Sequence, residues 1–337
     1  MQTSTTPNTK PFFLWRHLNK LRWVSLSMVF AMLIVLPFVH VYQTFLAAHA
    51  YDLLADSEKQ LYDTLELITQ PFVGTDPVED LNAIKGTTWS GTFWGLQLSD
   101  PLAAVGQVAA GKTFYPPFLY TILIPVLLTL VFGRFFCGWI CPATLLYELN
   151  TGVAAVLRQL GFKFGHRRFD LRLKYGVLAL GIVFSAITGS VLVAGIYPPA
   201  LIGRELYYAI ALGGFGAGSV FFVLTLLLDL FVARRGFCRY LCPGGALYSL
   251  LGRFRLLRIR RIVETCNDCA KCTAICEFGL DPLRDNFGQE CNNCTACIAI
   301  CPTQAMTFTL RPSDYPAQGP GHLGRHYKRE QETKNIK

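Results

Sequence analysis

The chain has 337 residues, a net charge of +9 and only 16% charged residues, with a mean hydropathy of +0.36. Soluble domains carry about 25% charged residues, so this composition argues against an ordinary water-soluble enzyme and for a membrane protein. Twelve cysteines fall at C-x2-C and C-x3-C spacings, a pattern of metal ligation or redox work rather than of a disulfide framework.

The N-terminal segment, 1–23, holds Lys10, Arg16, Lys20 and Arg22 and no acid. A spanning helix takes about 20 apolar residues, and the first candidate is 24–42. It is long enough to cross and has no small-residue cleavage motif after it, so no cleavable signal peptide is expected. The loop 43–115 is acidic, with nine Asp and Glu against three Lys over 43–114. Within it, Leu53, Leu54, Leu61, Leu65 and Ile68 follow a rough helical spacing until "TDPVED" breaks it. A small extramembrane cap is expected there.

The second span, 116–133, contains Pro125, which kinks a helix. The third is 175–195. Its Gly181, Ser185 and Gly189 form a small-residue stripe, read either as a helix-packing face or as plain lipid-facing glycine. The fourth is 212–232. Between the second and third lie Arg134, Arg158, Lys163, Arg167, Arg168, Arg172 and Lys174 against two acids. After the fourth come Arg234, Arg235, Arg239, Arg253, Arg255, Arg258, Arg260 and Arg261. Positive charge marks the cytoplasmic side. Both termini and the middle loop are therefore expected there, with 43–115 and the short 196–211 loop opposite. All twelve cysteines then lie in the reducing compartment.

The chain repeats itself. The second span runs into "FCGWICP" and the fourth into "FCRYLCP", each followed by a segment of helical apolar spacing. Those segments place Leu145, Leu149, Val156 and Leu160, or Leu247, Leu251, Phe254 and Leu257, on one face, and are expected to lie on the cytoplasmic membrane surface. "FYPPFLY" (114–120) and "IYPPALI" (196–202) are a further echo. Two copies in one orientation imply a pseudo-two-fold axis along the membrane normal. On a helix, positions four apart share a face. Cys137 with Cys141, and Cys238 with Cys242, could then present four thiols to one site. Three readings stay open: a further cluster or soft metal such as Cu(I), a thiol–disulfide pair, or a structural turn with cysteines packed as small hydrophobes. Trp139 and Tyr240 would line such a site, or act as interfacial aromatics.

The most specific motif is C-terminal. Cys266, Cys269, Cys272 and Cys276 are spaced C-x2-C-x2-C-x3-C, and Cys291, Cys294, Cys297 and Cys301 repeat that spacing before Pro302. This is the two-cluster ferredoxin run, in which the fourth cysteine serves the other cluster. Cys266, Cys269, Cys272 and Cys301 are expected to hold one [4Fe–4S] cluster. Cys276, Cys291, Cys294 and Cys297 are expected to hold the other. Zinc shares the C-x2-C spacing, but two complete runs fit it poorly. Glu277 stands where proline is usual, with a changed potential as the expected consequence. Segments 258–263 and 305–310 read as short closing strands, and the tail 312–337 as disordered.

The expected fold class is a mainly α membrane protein: four transmembrane helices in two repeated pairs (24–257), then a small α+β two-[4Fe–4S] ferredoxin-like domain (258–311). This arrangement of spans, C-x3-C-P motifs and double-cluster run resembles the NapH/MauN-type membrane ferredoxin family. The membrane half of NosR and the CcoG-type assembly proteins are its broader relatives. The resemblance covers 24–42 and 110–310, and "LQLSDPLAAVGQVAAG" (96–111) is similar to the family's segment before the second span. The 43–95 loop is long for NapH.

The resemblance implies a quinol dehydrogenase subunit in the bacterial inner membrane. It would oxidise membrane quinol and pass electrons through iron–sulfur clusters to a ferredoxin-like or cytochrome partner. The alternative is an assembly or regulatory factor that supplies electrons for metal-centre maturation, copper for example. Besides lipid and the quinone pool, no nucleic-acid partner is expected. Few residues present themselves for quinol chemistry: His40, Arg204 and Glu205 beside Tyr207 and Tyr208, and Asp229, which could equally pair with Arg234 or Arg235. A lone span histidine is too little for b-type haem, and no C-x-x-C-H motif for covalent haem is present.

Overall fold

In a computed structural model, the chain is described at residues 12–49, 52, 54–69, 91–93, 96–112, 116–162, 167 and 169–311. The tail 312–337, the "TDPVED" break, Lys10, Lys163, Arg168 and the start of "FYPPFLY" lie outside the described residues.

The order of elements is mainly helical. Helix α1 spans Phe12–Ala47. Its stretch His17–Tyr42 has a mean hydropathy of 2.3 and, among the described residues, is the one helix long and apolar enough to cross a membrane. Helix α2, Asp56–Thr69, lies where the leucine spacing placed one. Its start is fixed by the Glu58 carboxylate, which accepts the Ala55 amide at 3.0 Å. Tyr42 of α1 reaches it, donating to Asp63 at 3.0 Å and stacking on Tyr62.

A hairpin of β1 (Gly91–Phe93) and β2 (Leu96–Leu98) leads into α3, Pro101–Gly111. Helix α4, Pro117–Phe132, contains Pro125 as expected. Proline has no N–H, which frees the carbonyl four residues back. That carbonyl, Thr121 O, instead accepts the Ser99 amide at 3.1 Å.

The first C-x3-C-P motif folds as α5 (Phe135–Trp139) and α6 (Pro142–Gln159). Next come α7 (Leu173–Thr188), α8 (Leu192–Gly195) and α9 (Pro198–Ala211). Then follow α10 (Ala217–Phe231), α11 (Gly236–Tyr240) and α12 (Pro243–Leu251).

Three expectations change. The stretch 175–195 is not one span, because Gly189 ends α7 in a left-handed cap. The short loop 196–211 is largely α9, which starts on Pro198 at the first helical position. The second post-motif helix stops at Leu251 and does not reach Leu257, which lies in strand β3 (Leu257–Arg261).

Helices α4, α7 and α10 are mainly apolar and 15 to 16 residues long, about 23–24 Å at 1.5 Å per residue. Their exposed faces are aliphatic and aromatic: Leu123 and Leu127 on α4, Val183 and Phe184 on α7, Val220, Leu224 and Leu227 on α10. Apolar faces of this extent are stable against lipid and costly against water, so the protein associates with membrane.

Two units make up the chain. One comprises Leu26–Leu128 and Ile140–Leu250. Its core gathers Leu33, Leu102, Tyr147, Leu178, Tyr197 and Phe237. The first half of α6 does not lie free on a surface. Its Tyr147 is fully buried and donates to Thr225 of α10 at 2.8 Å. Leu149, Val156 and Leu160 form its exposed stripe, whereas Leu145 points inward.

The other unit comprises Met1–Ser25, Thr129–Trp139 and Leu251–Lys337. Here β3 pairs antiparallel with β4 (Met306–Leu310), Leu257 opposite Leu310, close to the short strands expected at 258–263 and 305–310. Between the strands lie the short helices α13 (Lys271–Ile275) and α14 (Ala296–Ile300).

Candidate iron–sulfur centre

Each cysteine run folds as a tight loop feeding a five-residue helix. The two loops share one backbone signature. Asp268 and Ala270 have φ of 55° and 57°, and Asn293 and Thr295 have 51° and 64°. Left-handed non-glycine residues cost about 1–2 kcal/mol each. Left-handed residues in such loops are the pattern of backbone nests, which hold anions such as iron–sulfur clusters. Each short helix then ends on its fourth cysteine, Cys276 or Cys301, in extended conformation.

Helices α13 and α14 pack together, and the thiols of each run have the fourth cysteine of the other within electrostatic reach. The Cys272 thiol lies within electrostatic reach of Cys266 and Cys301. Cys294 and Cys297 lie within reach of Cys291 and Cys276. Burial pushes Cys272 up to about 11 and Cys294 up to about 12. Thiols held neutral by burial become thiolates only against a strong cationic partner. The donor set, the crossing and the amide-lined loops all fit cubane clusters. Among the described residues no three His, Cys, Asp or Glu side chains converge tightly enough for a single metal ion, whereas a cubane spreads its thiolates over four corners.

The same unit takes in half of the first C-x3-C-P motif. Arg134, 1% exposed, pairs with the Glu290 carboxylate at 2.6 Å and stacks over Phe278. The Asn293 amide donates to Phe132 O at 2.8 Å and Leu257 O at 3.2 Å. Trp139 donates its indole N–H to Asn293 O at 3.0 Å and stacks on Phe135. Arg22 donates to Gly138 O at 3.2 Å. Gly133, at φ 70°, permits the turn after α4, and a Cβ there would meet the Arg255 side chain at 2.4 Å.

Several arginines read as flanking charge are thus internal. Arg255 donates to Gly288 O, Arg258 to Arg311 O and Arg253 O, and Arg261 pairs with Asp268 at 3.1 Å.

The paired cysteines are not one helix turn apart on a common helix. In each motif the first cysteine lies in a five-residue helix, which ends before the second. Cys141 is extended because the residue before proline is driven out of the helical region. In the larger unit Cys141, Cys238 and Cys242 pack on one core. Cys238 and Cys242 lie near the Tyr147 hydroxyl, and Cys242 Sγ accepts the Gly245 amide at 3.3 Å. Arg235 joins the motifs, donating to Thr144 O and pairing with Glu148 at 3.3 Å. Cys137 belongs to the other unit. None of the twelve cysteines is in a disulfide.

The quinol candidates have structural partners. Asp229 accepts from Asn150 at 3.1 Å. Glu205 lies beside Arg204 and accepts the Gly216 amide at 2.6 Å, holding the start of α10. His40 meets Tyr207 edge-on at 5.5 Å.

Sequence reasoning missed another group. Asp100, fully buried, caps α3 by accepting Leu102 N at 2.7 Å and Tyr248 OH at 3.3 Å, with Tyr197 beside it. Burial holds its carboxyl up at about 6, against the lowering effect of these bonds. The signal was present in "SDP", an N-cap acid followed by proline at the first helical position.

Comparison with known proteins bears on the C-x3-C-P repeats rather than on the eight-cysteine loops. A family model described as "4Fe-4S binding domain" matches twice, at 115–171 and 215–262, once on each C-x3-C-P repeat. The methylamine utilization ferredoxin-type protein MauN of Methylorubrum extorquens is 34% identical over 212 residues, 59% of this chain and 68% of MauN. The ferredoxin-type protein NapH of Haemophilus influenzae is 34% identical over 54% of this chain and 61% of its own length. NapH of Escherichia coli is 31% identical over 55% and 62%. The chain thus spans less than two thirds of either NapH. No solved structure matches. With twin amide-lined cysteine loops, a duplicated C-x3-C-P unit and this similarity to MauN, the chain belongs to the NapH/MauN family of ferredoxin-type 4Fe–4S electron-transfer proteins.

Proposed function

We propose that the chain is the membrane-bound electron-transfer subunit of a quinol dehydrogenase, passing electrons between the membrane quinone pool and a ferredoxin-like or cytochrome partner. The observation that supports it best is the crossing of Cys276 and Cys301 to opposite loops. It supports reading Cys266, Cys269, Cys272 and Cys301 as one ligand set, and Cys276, Cys291, Cys294 and Cys297 as the other. When bound, two [4Fe–4S] clusters supply one-electron carriers.

The rest of the reading follows from charge and chemistry. The basic flanks of the sequence support both termini lying in the cytoplasm of a bacterial cell. Quinol gives up two protons with its two electrons, so a buried group must accept a proton. Asp100, with the Tyr197 and Tyr248 hydroxyls beside it, is the acid positioned for that work.

The test is direct. Purified protein in liposomes receives a reduced quinone analogue without oxygen, and cluster reduction is followed by EPR. Reduction that a quinone-site inhibitor abolishes is expected. Failure with every quinol tried sinks the reading and favours a role in maturing a metal centre.

A further inference from the structure

The two cysteine loops are alike in backbone and opposite in surroundings. In the first, Glu264, Thr265, Asn267, Cys269, Ala270 and Lys271 are exposed. In the second, Glu290, Asn292, Asn293 and Thr295 are buried at 7%, 4%, 3% and 0% exposure. Two side chains account for the difference. At the position after C-N, the first loop has Asp268 and the second Asn293. Asp268 only accepts, and it takes the Arg261 guanidinium of its own domain. Asn293 also donates, and its amide is spent on the carbonyls of Phe132 and Leu257. A carboxylate cannot donate those bonds. Trp139, Gly138 and Arg134 complete the enclosure, Gly138 so closely that a Cβ would stand 2.7 Å from Asn292 O.

We infer that the two ligand sets serve different partners. The set of Cys276, Cys291, Cys294 and Cys297 is the inward terminal, and takes electrons that come from membrane quinol by way of the segment of Cys137 and Trp139. The set of Cys266, Cys269, Cys272 and Cys301 is the outward terminal and exchanges electrons with a separate one-electron redox protein. One electron lost at the first site is gained at the second, and no atom moves with it. This ordering rests on the two-cluster reading above.

The full-length protein in detergent tests it without turnover. After reduction, EPR power saturation is measured with and without a soluble dysprosium chelate, which relaxes only spins near the solvent. Cys269→Ser and Cys294→Ser assign the signals. The expected result is strong relaxation of the signal lost in Cys269→Ser and little of the signal lost in Cys294→Ser. Equal or reversed relaxation overturns the ordering.

Where either substitution costs both clusters, thiol labelling of the iron-free chain decides. Thiol reactivity follows access, so a bulky maleimide should modify Cys269 about tenfold faster than Cys294. Equal rates overturn the inference. A chain that binds no iron on reconstitution defeats the two-cluster reading, while the labelling rates still judge the asymmetry.

Discussion

Trp139 and Asn293, 154 positions apart, are joined by an indole N–H···O bond of 3.0 Å. Through it the helix of the first paired-cysteine motif lies directly on a cluster-binding loop. Neither residue is itself a ligand, yet together they hold the segment of Cys137 in the same unit as the ferredoxin loops.

Asn293→Asp removes two donated hydrogen bonds and buries a carboxylate. Lost bonds and an unpaired buried charge cost roughly 3 kcal/mol. Chemical denaturation should show that loss, and iron binding should weaken first at the loop of Cys291, Cys294 and Cys297. The reciprocal Asp268→Asn takes a charge from the buried Arg261 but leaves it an acceptor oxygen, and should cost less than Asn293→Asp. Equal losses would contradict the account of Asn293.

Arg134 and Glu290 are both buried and 2.6 Å apart. Removing one partner strands the other's charge, at a cost of about 3–5 kcal/mol. Glu290→Ala should therefore unfold the cysteine-rich unit at lower denaturant, and Arg134→Met in the same chain should restore much of the loss. A double-mutant cycle without coupling would show the pair to be incidental.

Asp100 ties stability to pH. Burial holds its carboxyl at about 6 against an ordinary value of 3.8. The folded state favours the protonated form, so no penalty applies below the unfolded value. The penalty grows as pH rises from about 4 to 6 and reaches roughly 3 kcal/mol above it, at about 1.4 kcal/mol per pH unit. Asp100→Asn keeps the oxygen that caps α3 and removes the titration. Its melting temperature should gain on the parent's by more at pH 8 than at pH 4. In the quinol assay the same variant should lose cluster reduction while dithionite still reduces the clusters. Parallel melting shifts at both pH values would remove Asp100 as a buried titrating group.

Gly244 and Gly152 should respond oppositely to alanine. A Cβ on Gly244 would meet the Tyr197 ring at 2.3 Å, whereas nothing lies within 4 Å of one on Gly152. Overpacking costs about 1–3 kcal/mol, and Gly to Ala within an open helix gains about 1 kcal/mol. Gly244→Ala should lower the melting temperature and Gly152→Ala raise it. A stable Gly244→Ala protein would mean that Tyr197 moves freely, undermining its place beside Asp100.

Iron content tests the paired cysteines. Two clusters require about eight irons per chain, and Cys137→Ser or Cys238→Ser should leave that number unchanged. A count near twelve that falls on either substitution would assign a third cluster to the pairs.

Local chemistry made much of this protein legible in its sequence. The eight-cysteine spacing, the duplicated C-x3-C-P unit, the helix at Asp56–Thr69 and the closing strands are written in contiguous residues, where spacing and periodicity suffice. The same holds for the "SDP" signal that begins α3, which was there to be read. Other features depend on residues far apart in the chain. The helices of Cys137 and Cys238 end before Cys141 and Cys242, each of which precedes a proline that starts the next helix, so spacing alone overstated how closely the thiols share a face.

What the sequence by itself determined was chemical identity: a membrane-associated, iron–sulfur, ferredoxin-type chain built on a repeat. Only the tertiary structure decided which groups meet. It brought Asp100 to Tyr248 across 148 positions and Asn293 to Phe132 across 161, and it buried one of two near-identical loops while exposing the other. The physical reason is that a ligand's identity lies in its own side chain and spacing. Burial, pairing and access depend on which distant backbone packs over it, and no local pattern encodes that.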